Sequence, residues 1–82
     1  MYYMYVLKSQ KHNVFYIGCT EDLRQRILQH NKGSSKATKH SAPWALLYYE
    51  AYTSLKLARN REIKLKHHGK GLSELKKRIL ED

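Results

Sequence analysis

Glu62 is the first residue whose type and setting could do chemistry. Counting about 100° per residue, Leu55, Ala58, Ile63 and Leu65 fall on one arc of a helix running from Ser54 to about His68, and Glu62 lies near the middle of that arc. A carboxylate there is costly unless a cation or a metal ion compensates it. One of Arg59, Arg61 or Arg26 could pair with it. So could a divalent ion such as Mg²⁺ or Mn²⁺, which often takes only one or two protein carboxylates and keeps waters and phosphate oxygens elsewhere. The tyrosines come next, seven in 82 residues. Most suit strands and core with the hydroxyl at the surface. Tyr5 and Tyr16 would bring two phenols together if they share a sheet face. A phenol, with a pKa near 10, works as a base only where nearby cations favour the phenolate. Arg26 could grip a phosphate through two N–H groups at once, which lysine does less well. His30, one helical turn further on, could hydrogen-bond or move a proton. His67-His68 beside Gly69 has no further ligands at useful spacing and reads as a capping or surface pair, and Cys19 reads as a packed strand-end residue.

These residues need elements to bring them together. Tyr2–Leu7 and Val14–Ile17 are rich in strand formers, and polar Ser9–Asn13 between them reads as the turn of an antiparallel hairpin. A turn centred near Gln10-Lys11 sets Tyr5 roughly opposite Tyr16, on one face of the sheet. Gly18 is expected to end the second strand. Thr20 is expected to cap a helix with Glu21 and Asp22 in its first turn and Leu23, Ile27 and Leu28 as its apolar stripe. Asn31-Lys32-Gly33 stops that helix. Gly33–Ala42 is a polar, basic loop, Ala45–Tyr49 a third strand, and Gly69-Lys70-Gly71 a break before a short helix marked by Leu72, Leu75 and Ile79. The order strand, strand, helix, strand, helix, helix fits the α+β class.

Composition bounds the partner. Sixteen Lys+Arg against seven Asp+Glu give a net charge of +9. Such a surplus favours polyanions, of which nucleic acid is the commonest inside a cell. Eighty-two residues suit one domain spanning 1–82. No apolar run approaches the roughly 18 residues of a membrane span, and Met1-Tyr2-Tyr3-Met4 is not the start of a secretory signal. One cysteine excludes an internal disulfide and a cysteine-based zinc site. The expectation is a cytoplasmic protein without a membrane segment.

Taken in order, Tyr3-Met4-Tyr5, Tyr16-Ile17-Gly18, Arg26, His30 and Glu62 resemble the GIY-YIG nuclease superfamily. The first motif departs at two places, with Tyr3 for its glycine and Met4 for its isoleucine. Asn31-Lys32-Gly33, Pro43-Trp44, Leu47–Glu50 and Arg61–Lys66 are similar to the small standalone members, which resemble the amino-terminal nuclease domain of the excinuclease C subunit. The motif-bearing region runs from about 2 to 78. The resemblance implies a three-stranded antiparallel sheet flanked by helices, and a DNA endonuclease that hydrolyses phosphodiester bonds with Mg²⁺ or Mn²⁺, in repair or recombination. It gives Glu62 the metal, Arg26 the charge on the scissile phosphate and Tyr5 the general base. Tyr16 would orient the nucleophile or phosphate, with His30 in support. Lys36 and Lys39 are expected to contact the DNA backbone. A catalytically inactive nucleic-acid-binding module of the same fold is the alternative. A monomer or a weak dimer would serve either.

Overall fold

The computed structural model describes residues 1–67 and 69–80. Strands β1 (Tyr2–Ser9) and β2 (Phe15–Thr20) are followed by helix α1 (Leu23–Asn31), a 3-10 turn at Lys39–Ser41, strand β3 (Trp44–Tyr52), and helices α2 (Leu55–His67) and α3 (Gly69–Leu80). The sheet is antiparallel throughout, ordered β2-β1-β3. This is the expected α+β arrangement. His68 lies outside the described residues, and among those described no helix is long and apolar enough to cross a membrane.

Period-two alternation along β1 divides the core between the two faces of the sheet. Met4 and Val6 join Ile17, Leu65 and Leu75 beneath α2 and α3. Tyr5 and Leu7 join Trp44 on the other face, where Leu23 and Ile27 of α1 pack over them. Helix α1 buries His30 where the sequence suggested Leu28, which is exposed. The inward positions are Leu23, Ile27 and His30, spaced i, i+4, i+7. On α2, Ala58 and Leu65 are buried whereas Ile63 is exposed, so the apolar arc is narrower than expected.

Several boundaries differ from the sequence reading, each for a local reason. Ser9 Oγ accepts the backbone N–H groups of Lys11 and His12 at 3.0 and 2.9 Å, closing a longer turn that leaves Val14 outside the strand. The register therefore pairs Tyr5 with Gly18 and Leu7 with Tyr16. That is two residues from the expected register, and a two-residue shift preserves the face. Gly18 lies inside β2 instead of ending it. Asp22, not Thr20, caps α1, its Oδ1 accepting from Gln25 N–H at 3.0 Å, so Glu21 and Asp22 precede the helix. Strand β3 extends to Tyr52 because β1 offers it partners as far as Tyr2. Helix α3 takes in the glycines of the expected break. Glycine costs a helix only about 1 kcal/mol, and Leu72, Leu75 and Ile79 pack α3 against the core.

Candidate active site

Tyr5 rises from the central strand and lies across Gly18 of its neighbour. A Cβ built at Gly18 would sit 2.5 Å from Tyr5 Oη and 2.6 Å from Cζ. Only glycine lets the ring cross β2 at this height. The hydroxyl meets His30 Nε2 at 3.0 Å, and the opposite ring nitrogen, Nδ1, lies 2.7 Å from Thr38 Oγ1. Tyr5, His30 and Thr38 are all buried. Burial pushes the Tyr5 phenol up to about 12, against the pull of Arg26 beside it, and neighbouring Tyr16 and the Glu62 carboxylate add to the rise. Burial, then the Arg26 charge, lowers the pKa of His30 from 6.5.

The remaining residues approach from both sides of the β2 edge. Tyr16 packs on His30 with ring centroids 4.9 Å apart, and on Tyr5 at 6.3 Å. Arg26 Nη1 donates to Gln29 Oε1 at 3.0 Å. With Thr20, Asp22 and Gln25, Arg26 lines a groove of about 260 Å³. Glu62 comes from α2. Its sequence-predicted arginine partners do not hold it: Lys66 does, Nζ to Oε2 at 2.5 Å. Lys66 also sits 5.7 Å from the centre of the Tyr16 ring, tying the helix to the strand. Cys19 is half-buried within β2, and burial together with the facing Glu62 carboxylate raises its thiol to about 12. A neutral, buried thiol of that kind is a poor nucleophile.

Tyr5, Tyr16, Arg26, His30 and Glu62 thus meet at one place, supplied by β1, β2, α1 and α2. Lys36 and Lys39 do not join them. Both are exposed on the loop after α1, on either side of buried Thr38. The departures in the first motif fall away from the cluster. Met4 is core beneath α2 and α3, and Tyr3 stacks edge-on against Tyr49, ring centroids 5.8 Å apart. Sequence reasoning missed Gly18, Thr38 and Lys66 as members of the site. Lys66 carried a signal, its i+4 position after Glu62 on a helix.

The donor set fits a hard divalent ion better than zinc. Glu62 is a single carboxylate paired, among the described residues, with Lys66 and faced by the Cys19 thiol. Among the described residues no three His, Cys, Asp or Glu side chains gather to hold a metal. A single carboxylate would suit an ion that keeps waters and phosphate oxygens, whereas structural zinc needs a four-fold cage.

A second carboxylate, Glu50 on β3, has a different environment. Oε1 accepts from Tyr52 Oη at 2.5 Å and Arg61 Nε at 2.9 Å, and Oε2 accepts from Tyr48 Oη at 2.8 Å and Arg61 Nη2 at 3.3 Å. Burial alone would raise its pKa, but these donors hold it below its ordinary 4.5.

Comparison with known proteins agrees with the motif order. The GIY-YIG catalytic domain matches residues 1–77. The chain belongs to this family. GIY-YIG domains have a nuclease-type fold. Among curated relatives are UPF0213 proteins of Streptococcus pyogenes, from strains Manfredo and MGAS10270, each 41% identical over 61 residues. The match covers 73% of this chain and 65% of each relative's own length. No solved structure matches the chain.

Proposed function

We propose that the protein is a divalent-metal-dependent DNA endonuclease, hydrolysing phosphodiester bonds in DNA repair or recombination intermediates. The supporting observation is the convergence of two phenols, a guanidinium, an imidazole and a carboxylate from four elements onto the β2 edge. We take residues 1–82 as one such domain, working in the cytoplasm as a monomer or weak dimer.

In this reading Glu62 would hold Mg²⁺ or Mn²⁺ in place of its Lys66 partner. A bound ion supplies Lewis acidity to a phosphate oxygen and help for the departing oxygen. Arg26 binds the scissile phosphate and stabilises its growing negative charge, a preorganised contribution whose loss commonly costs on the order of 100-fold in rate. Tyr5 first gives its own proton to solvent, and the resulting phenolate, stabilised by Arg26 against its burial, takes a proton from the attacking water. Tyr16 orients the phosphate, and His30 fixes the Tyr5 hydroxyl. Lys36 and Lys39 contact the backbone outside the reacting link, where an exposed ammonium serves as a point charge.

One observation favours the alternative of a binding module without turnover: Tyr5 in the free protein resists ionisation up to about 12. A cleavage assay separates the two. Incubation with single-stranded, nicked, branched and duplex DNA is expected to give products only with Mg²⁺ or Mn²⁺, and none from the Glu62→Gln variant. Salt-sensitive binding without products would select the inactive module, and metal-dependent cutting that survives Glu62→Gln would remove the proposed site.

A further inference from the structure

His30 has one partner at each ring nitrogen, Thr38 Oγ1 at Nδ1 and Tyr5 Oη at Nε2. With its pKa held below 6.5 by burial and Arg26, the imidazole is neutral at pH 7 and carries a single N–H. The row Thr38–His30–Tyr5 therefore has three hydrogens, two hydroxyl and one ring N–H, to fill two gaps. One hydrogen is left over and must point out of one end.

The two ends are not equivalent. If Nδ1–H donates to Thr38, Tyr5 donates to Nε2 and the spare hydrogen belongs to Thr38. Thr38 is 1% exposed, and among the described residues its Oγ1 has no partner except His30. A buried donor without an acceptor is costly. If Thr38 donates to Nδ1 instead, the spare hydrogen belongs to Tyr5. Tyr5 is just as buried, but its hydroxyl lies in the field of the Glu62 carboxylate, with Arg26 beside it. A negative charge at that end favours a hydrogen directed towards it.

We propose that Thr38 is a positioning residue whose hydroxyl donates to Nδ1 and fixes His30 as the Nε2–H tautomer, so that His30 donates to Tyr5 and the phenol proton stays directed into the site. Loss of that proton to solvent water then leaves a phenolate held by the His30 N–H and the Arg26 guanidinium. Thr38 is itself anchored. Its N–H donates to Ser35 O at 3.2 Å, and its carbonyl accepts from Trp44 Nε1 at 2.9 Å. The tautomer rests on the hydrogen-bond geometry, a neutral His30 and the charges facing Tyr5, while its consequence for cleavage rests on the nuclease reading above.

Long-range ¹H–¹⁵N correlation spectra of the full ¹⁵N-labelled chain report which ring nitrogen carries the proton, with the His30 signals assigned by their loss in His30→Gln. Wild type and Thr38→Ser are expected to show a protonated Nε2 and a bare Nδ1. Thr38→Val, which keeps the shape and removes the donor, is expected to show both tautomers. The acidic limb of its pH–rate profile should move up by about one unit, returning to the wild-type position in Thr38→Ser. A protonated Nδ1 in the wild type, or a Thr38→Val spectrum like that of the wild type, overturns the proposal. Absence of cleavage by the wild type would defeat the nuclease reading and leave the spectra to decide the tautomer.

Discussion

The molecule carries two clusters built from the same parts, a carboxylate, an arginine and two tyrosines. One gathers around Glu50 and the other around Glu62. Their carboxylates are almost equally accessible, with side chains 19% and 20% exposed. What separates them is unused bonding capacity. Glu50 has four donors on two oxygens and takes no more part in anything. Glu62 has one hydrogen-bond donor among the described residues, a lysine on a flexible stem. Burial and composition do not tell the two apart; unused bonding capacity does.

Exchanging each carboxylate for an amide breaks or sharpens that contrast most strongly. Glu62→Gln is expected to lower cleavage at least about 100-fold while shifting stability by less than about 1 kcal/mol, since an i,i+4 pair is worth little. Glu50→Gln should do the reverse. Urea denaturation should show a loss of about 2 kcal/mol from the broken charge-assisted bonds, with cleavage per folded molecule retained. The arginines form the next pair. Arg26→Ala should cut the rate by about 100-fold. Arg61→Ala should act through stability, by about 2 kcal/mol, because it strands Glu50 beside two phenols.

Gly18→Ala gives a smaller effect that joins packing to chemistry. The new methyl group meets the Tyr5 ring, so a loss of about 1–3 kcal/mol is expected. A displaced Tyr5 should slow cleavage about tenfold or more, as small misplacements of reacting groups do. Wild-type stability and rate in this variant would mean that the ring does not lie across β2.

Stability against pH offers the smallest and most selective test. Glu50 has a lowered folded-state pKa, so its contribution is present above 4.5 and is lost as pH falls through the folded value. Tyr52, raised by burial and Glu50 from 10.0 to about 12, contributes below pH 10 and loses that contribution as pH climbs towards 12. In Glu50→Gln the acid limb should weaken and the alkaline limb shrink. Buried His30 must still charge in acid, so some destabilisation below pH 6.5 should survive. Thermal melts across pH 3–12 check all three.

Much of the candidate site was legible because its residues stand out chemically: a glutamate on an apolar arc, an arginine and histidine one turn apart, and tyrosines on neighbouring strands. The shared face of Tyr5 and Tyr16 survived a misplaced register because strand side chains repeat every second residue. Contacts made by unremarkable residues were not legible. Thr38 sits in a polar loop whose burial follows from Trp44 and His30 meeting across it. Gly18 reads as a strand breaker until the Tyr5 ring is seen to need its space. Glu50 looks like an outward residue of an alternating strand, and only the packing of α2 brings Arg61 over it.

The most direct measurement is anomalous diffraction from crystals of the protein soaked in Mn²⁺. One ion at the Glu62 carboxylate, close to Tyr5 and Arg26, with Lys66 displaced and nothing at Glu50, is the predicted result. An ion at Glu50, or a Glu62 still bound to Lys66 and without metal, would contradict the account.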